Sequence, residues 1–343
     1  MLTRRNFLSA TGAAAAANLL YRTTWAQQAR RQRIDVHHHI LPPEYVRLVG
    51  RTAIGAPAAN KQAPLWTPAD SINGMDQYGV ASALTSISAP GIWSNDRSKA
   101  KRLARLCNVY AAQLMTDYPG RFGAFATLPL PDIKASLQEL DYAFDTLHCD
   151  GVGLMTNYND RYLGDAAFVP LFDALNRRKA VVYVHPTSCD CDLGVMTDIP
   201  TGMIEFPHST TRAVVSLLFS GTISRCPDIK FIFSHAGGTI PFLASRIQGV
   251  AASDKQFEQR VPGGVLPALK SLHYDTAGSV NAFALPLLIK LVSAKQVLMG
   301  TDFPFSPAGI KSVVEGLQGL GLSEGELGDI QWSNAQRLLP RFA

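Results

Sequence analysis

Residues 34–39 read Ile34-Asp35-Val36-His37-His38-His39. β-branched residues open the stretch as in a buried strand, and three imidazoles close it. Side chains alternate across a strand with a period of two. His37 and His39 therefore share one side, about 7 Å apart along the chain, and His38 points the other way. Two imidazoles on one strand face can hold a divalent metal if other strands supply the remaining ligands. The alternative is a polar patch with one functional histidine. Suitable residues end three later segments: Val184-His185-Pro186, Ser234-His235-Ala236 and Gly300-Thr301-Asp302. Five of the eight histidines fall at these strand ends.

Outward from this stretch, apolar runs predict strands at 34–39, 80–87, 121–128, 151–156, 181–186, 229–235, 272–277 and 296–301. Helical patterns lie between them. Arg97 to Tyr118 places Leu103, Leu106, Tyr110 and Leu114 near helical spacing, and Ile133 to Leu147 does so with Leu137, Leu140 and Phe144. Phe168 to Arg178, Thr211 to Ser224 and Leu285 to Ser293 add three more. Eightfold strand–helix alternation predicts an α/β fold, a closed parallel (β/α)8 TIM barrel over residues 34–343. A doubly wound open sheet is the alternative. Sites in such barrels form at the C-terminal strand ends. His37 and His39 end the first strand, His185 the fifth and His235 the sixth; Asp275 lies near the end of the seventh, and Asp302 follows the eighth. Charge and imidazole are costly in a barrel core unless a metal or partner satisfies them. Two insertions, Leu41 to Ala69 and Thr187 to Thr210, are expected to build walls on that face.

The N-terminus carries Arg4-Arg5, then Phe7-Leu8 and an apolar run from Ala10 to Leu20. This pattern predicts a twin-arginine export signal over residues 1–26, cleaved after Ala26, with a linker at 27–33 and a periplasmic destination. That route carries folded proteins, so a metal could be loaded before export. The run is too short and weakly apolar for a bilayer span, and no later segment qualifies. The whole chain has a net charge of +5. Removing residues 1–26 takes away three arginines and no acid, leaving +2. Only Arg30 to Arg33 is strongly basic, which argues against a nucleic-acid partner. No glycine-rich nucleotide loop is present. Of five cysteines, Cys107, Cys149 and Cys226 sit in apolar surroundings as buried thiols. Cys189 and Cys191 flank Asp190, too close in sequence for a comfortable disulfide with each other. They form an ordinary loop or a softer second metal site.

Taken together, Asp35-Val-His37-His-His39-Ile-Leu-Pro-Pro, Val184-His185-Pro186, Phe233-Ser-His235-Ala-Gly-Gly and Gly300-Thr-Asp302-Phe-Pro resemble the amidohydrolase superfamily. Within it they resemble the metal-dependent decarboxylases typified by aminocarboxymuconate semialdehyde decarboxylase and gamma-resorcylate decarboxylase. The first motif is His-x-His, as in the aminocarboxymuconate enzyme, where many benzoate-type enzymes carry Glu-x-His. The Asp-Val-His-His-His stretch is also similar to that of 6-methylsalicylate decarboxylases. The resemblance implies a small ortho-hydroxylated aromatic acid as substrate. It also implies one divalent metal, zinc or sometimes manganese, on His37, His39, His185 and Asp302. His235 takes the role of catalytic histidine, and Arg246 that of the carboxylate-binding arginine. In relatives that arginine can enter the neighbouring subunit's site, which implies a homodimer. The fourth predicted strand, 151–156, has no lysine to carboxylate, which points to a mononuclear site.

The residues also allow duller roles. Asp302 could cap a following helix. Arg246 could be an ordinary surface residue. His208 could face the pocket or sit in a loop, while His38 is expected in the outer layer and His148 and His273 as structural. Asp275 is expected to hold a ligand histidine by a hydrogen bond. Two chemistries fit the set. In the first, a carboxy-lyase releases carbon dioxide, with Asp302 carrying a proton to the ring carbon and His235 orienting the carboxylate. In the second, a hydrolase of a lactone, ester or amide activates water on the same metal.

Overall fold

Apolar residues, Val most often, make up the larger part of the eight predicted strand segments, and each of the eight forms. In the computed structural model, which describes residues 33–55, 62–189, 199–306 and 309–343, the strands are β1 Arg33–His39, β2 Val80–Ser86, β3 Phe122–Thr127, β4 Gly151–Met155, β5 Asn157–Tyr158, β6 Arg161–Tyr162, β7 Val181–His185, β8 Lys230–Phe233, β9 His273–Asp275 and β10 Val297–Leu298. Eight of them pair in parallel in the order β1-β2-β3-β4-β7-β8-β9-β10, and β5 and β6 make a small hairpin that the apolar pattern did not signal. Cys191, the segment expected to be an export signal and most of the expected linker lie outside the described residues; Arg33 belongs to β1.

The ring closes along the segment that carries Asp302. Val36 N–H donates to Met299 O at 2.9 Å, Asp302 N–H to His37 O at 2.8 Å and His39 N–H to Phe303 O at 2.7 Å. Beyond the two-residue β10, the chain keeps bonding to β1 through these contacts. This seam places Asp302 beside the histidines of β1.

Two apolar layers separate cleanly. Ile34, Val36, Leu84, Phe125, Tyr183, Ile232 and Leu298 fill the barrel interior, and Ala335, Leu339 and Phe342 from the C-terminus plug it. Each large side chain so removed from water contributes roughly 1.5–3 kcal/mol. Alternate residues, among them Val182, Val184, Phe231 and Phe233, pack outward in the layer shared with the helices. Strict alternation would turn His37 away from the side that Val36 faces. The register of β1 against β2 shifts between Asp35 and His38, and this irregularity lets the neighbours Val36 and His37 both turn inward.

The helices at Arg97–Asp117, Ile133–Asp145, Val169–Arg177 and Ala284–Val292 match expectation to within a few residues. The second insertion differs. Its C-terminal part is helix, since Thr201–Phe219 begins ten residues before the predicted Thr211 and continues through Pro207. Proline normally breaks a helix interior. Here Thr211 Oγ1 donates to Pro207 O at 2.9 Å and Phe206, Ser209 and Thr210 are buried, so packing overrides the local preference. Gly238, at φ +66°, lets the loop after β8 approach this helix: a Cβ there would lie 2.0 Å from Pro207 O. The first insertion likewise holds a helix, Pro43–Val49. Among the described residues no helix is long and apolar enough to cross a membrane.

Candidate metal centre and active site

Strand ends β1 and β7 and the closing seam bring His37, His39, His185 and Asp302 together. Their ligand atoms all lie within 4.8 Å of one another. Asp302 Oδ1 stands 3.3 Å from His37 Nε2 and 3.1 Å from His39 Nε2, and those two nitrogens are 3.0 Å apart. The outer ring nitrogens are all occupied. His37 Nδ1 donates to Asp275 Oδ2 at 2.8 Å and His185 Nδ1 to Pro186 O at 2.9 Å, while His39 Nδ1 meets Ser86 Oγ at 3.1 Å. With Nδ1 committed, the Nε2 lone pairs are free to converge on an ion.

The electrostatics call for a cation at this point. Burial disfavours charge on His37, but the carboxylates of Asp275 and Asp302 outweigh it and push its pKa up to about 10. Burial alone would raise Asp302; His37 and His39 override it and hold the carboxyl well below the usual range. Burial lowers His39 and, helped by its imidazole neighbours, lowers His185 further, so both are ready as neutral ligands. Three imidazoles and a carboxylate suit a divalent transition metal, and the group fits.

Asp275 performs the tie expected of it and more. It is fully buried, and four donors satisfy its lone pairs. His37 Nδ1 and the Tyr183 hydroxyl donate to Oδ2 at 2.8 and 3.2 Å, and the His235 and Ala277 N–H groups to Oδ1, each at 2.9 Å. It thus joins a metal ligand to the catalytic candidate. Gly300 makes room for this packing, since a Cβ there would lie 2.7 Å from His37 Cβ and 2.9 Å from Asp275 Cβ.

His235 sits beside the cluster, its ring centroid 4.9 Å from that of His37. Its Nδ1 donates to Ala277 O at 3.1 Å, leaving Nε2 as the free lone pair, and burial keeps the ring neutral. His235 and Asp302 both have left-handed backbones, φ 53° and 58°. Such conformations are costly for non-glycine residues and persist where surrounding contacts over-determine them.

A cavity of about 670 Å³ opens above the cluster. Ile54, Met203, Phe206 and Phe305 give it apolar walls, and Ser279, His185, His235 and Asp302 supply polar groups. Both expected insertions contribute to these walls.

Other candidates fall elsewhere. Arg246 is exposed on the helix Ile240–Ala252 and does not line the cavity of its own chain. His208 is exposed on Thr201–Phe219 rather than facing the pocket. Cys189 is disulfide-bonded, its partner lying outside the described residues. That runs against the expectation of an ordinary loop or a softer second metal site, since a bonded sulfur is no thiolate ligand. Cys107, Cys149 and Cys226 are buried free thiols, as expected, and burial keeps them protonated. Ser86 and Tyr183 were missed. Tyr183 precedes His185 by two, so the strand period places it directly beneath that ligand.

The amidohydrolase family profile matches residues 34–341. The chain belongs to the amidohydrolase family. Within it, the chain is 40% identical over 326 residues to a decarboxylase of Aspergillus niger, covering 90% of this chain and 88% of that protein. It is 39% identical over 284 residues to the 6-methylsalicylic acid decarboxylase of Penicillium expansum, covering 80% and 86%. A solved amidohydrolase II structure superimposes with a TM-score of 0.83 at 26% identity, over 90% of this amidohydrolase and 99% of the other chain.

Proposed function

We propose that this amidohydrolase is a metal-dependent, non-oxidative decarboxylase of a small ortho-hydroxylated aromatic carboxylic acid. The observation that carries this reading is the convergence of His37, His39, His185 and Asp302 on one metal site, with His235 beside it, beneath a cavity of about 670 Å³. The similarity to fungal decarboxylases, one of them acting on 6-methylsalicylic acid, supports it. His37, His39, His185 and Asp302 would hold the ion, zinc by preference for this donor set and manganese as the other choice. Bound there, it would supply positive charge for an anionic substrate.

The chain's own groups move the proton. Asp302, held ionised, takes the proton of the substrate's ortho hydroxyl and becomes neutral. It then delivers that proton to the ring carbon bearing the carboxylate, which breaks aromaticity. The carbon–carboxylate bond cleaves, its electron pair returns to the ring and carbon dioxide leaves. His235, neutral and with Nε2 free, orients the carboxylate while the charge moves.

Turnover in deuterated water distinguishes this from hydrolysis. The product should be lighter by carbon dioxide and carry one deuterium on the carbon that held the carboxylate, read by mass spectrometry and proton NMR. A product that keeps its carboxylate sinks the decarboxylase and promotes the hydrolase acting on lactones, esters or amides.

The protein acts as a homodimer in this reading. Phe242 and Val250 flank Arg246 at four-residue spacing on one helix face and are 80% and 55% exposed; nearby Phe283 is 87% exposed. So apolar a face favours burial against a second copy. Among the described residues no Lys or Arg lines the cavity, and Arg246 from the partner supplies the missing carboxylate clamp. Arg246→Ala should raise KM for carboxylic substrates by ~10-fold or more, the scale of a lost charge-assisted bond, and leave neutral esters nearly unaffected. Equal losses on both would remove the residue from substrate recognition. Export by the twin-arginine route completes the reading, and intact-mass analysis of periplasmic protein should find a chain starting at Gln27.

A further inference from the structure

His38 points away from the metal, yet it is fully buried and makes polar contacts on both ring nitrogens. Its Nδ1 meets Asp35 Oδ2 at 2.9 Å and its Nε2 meets Ser71 Oγ at 2.8 Å. The order Ser–His–Asp is that of a hydrolytic triad, but all three residues are fully buried and no substrate reaches Ser71. Their work lies in what they connect.

Asp35 is an acceptor for four donors. Oδ1 receives the N–H groups of His37 at 3.1 Å and Thr301 at 3.0 Å; Oδ2 receives Thr301 Oγ1–H at 2.6 Å and His38 Nδ1–H at 2.9 Å. A carboxylate only accepts, so in a neutral His38 ring the proton is on Nδ1 and Nε2 accepts from Ser71. The Ser71 oxygen in turn accepts from Trp66 Nε1–H at 2.9 Å. The hydrogen bonds therefore run one way, from Trp66 through Ser71 and His38 to Asp35.

Each end of this line reaches the active site. At one end, Thr301 is anchored to Asp35, and Phe303 stacks on His38 with centroids 4.9 Å apart and planes at 20°. Asp302, with its left-handed backbone, is clamped between those two anchors. At the other end, Trp66 belongs to the segment whose Gln62, Ala63 and Pro64 line the cavity. Arg51 fixes the same segment by donating to Ala63 O.

We propose that the line Asp35–His38–Ser71–Trp66 positions Asp302 and the Gln62–Pro64 wall as one unit, coupling metal-site geometry to substrate fit. The proposal rests on the role given above to Asp302 and the cavity. None of the four residues touches substrate; they are positioning residues.

Four single variants and one double variant test it, read by zinc affinity in chelator competition, by salicylate binding and by kcat and KM. Ser71→Ala and Trp66→Phe should each weaken salicylate binding several-fold with zinc affinity within about twofold of the parent, because the wall loosens while Asp35 keeps its seam contacts. The double variant should be no worse than Ser71→Ala alone, since both cut one line. Asp35→Asn should lower zinc affinity by roughly 10–100-fold, as loss of a ligand-supporting contact does, lower kcat, and weaken salicylate binding at least as much as Ser71→Ala, because the wall hangs on Asp35 through His38 and Ser71. Thr301→Val, similar in shape and lacking only the hydroxyl, should do the same to a lesser degree if Asp35→Asn does not fold. Additive effects in the double variant would overturn the coupling. So would an Asp35→Asn or Thr301→Val protein that loses thermal stability but keeps zinc affinity and kcat. Zinc and salicylate binding are measured without turnover, so they judge the coupling even if no decarboxylation is found.

Discussion

Replacing Asp302 by Asn should stop turnover while the protein keeps its fold and much of its metal. The expected loss in kcat is ~10²–10⁴-fold, the range for a removed acid–base group. Asn is the informative choice for two reasons. Its amide oxygen can still approach His37 and His39 as a weak ligand, but it cannot take or deliver a proton at neutral pH. Asp302 also has φ 58°, and Asn tolerates the left-handed region better than most residues, so the seam against β1 should survive. Ala would lose the ligand and strain the backbone together. Steady-state kinetics beside elemental analysis reads both effects. Full metal occupancy with undiminished kcat would remove Asp302 from the proton path.

His185→Ala should cost metal binding first and activity with it. His185 is held neutral by burial and oriented by its bond to Pro186 O, so its Nε2 is a ready ligand. Its loss should lower zinc affinity by ~10²-fold or more, beyond the 10–100-fold typical of a lost supporting contact. The parent protein should show about one metal per chain by elemental analysis. Two per chain would refute the mononuclear site. Uptake should also depend on pH in a definite direction. In the metal-free protein the His37 proton persists up to about pH 10 because Asp275 and Asp302 stabilise it, and a metal must displace it. Apparent affinity should therefore rise with pH, about tenfold per unit from neutrality toward pH 10, with close to one proton released. Chelator competition from pH 6 to 9 reads the slope. A flat profile would mean that His37 is not the ligand that gives up a proton.

Much of the site could be read from one chain of letters, because strand ends are local. A period of two sufficed to put His37 and His39 on one side, and His-Pro, Ser-His and Thr-Asp at later strand ends marked the partners. The expected role of Asp275 also follows from its place at the end of a strand near those ligands. Reading failed where contacts between distant segments decided the outcome. The helix was expected from Thr211, yet burial of Phe206 and Thr210 lets it start at Thr201 and run through Pro207. The hairpin Asn157–Tyr162 is two residues per strand, too short to leave a period. His208 was a candidate from its place in the second insertion, and a place in the chain does not say which face of a helix meets the cavity.

The sequence alone determined eight strands in alternation with helices, a barrel to hold them and four candidate metal ligands at their ends, because hydrophobic period and ligand chemistry are properties of short stretches. Tertiary structure decided the rest. It set the register shift that turns Val36 and His37 inward together, the ring closure along Met299–Phe303, and the two saturated buried carboxylates Asp35 and Asp275 that brace the ligands. Those features join residues as many as 266 positions apart, as Asp35 and Thr301 are. Only the packed barrel brings such partners within hydrogen-bonding distance, where a buried carboxylate must find every one of its donors.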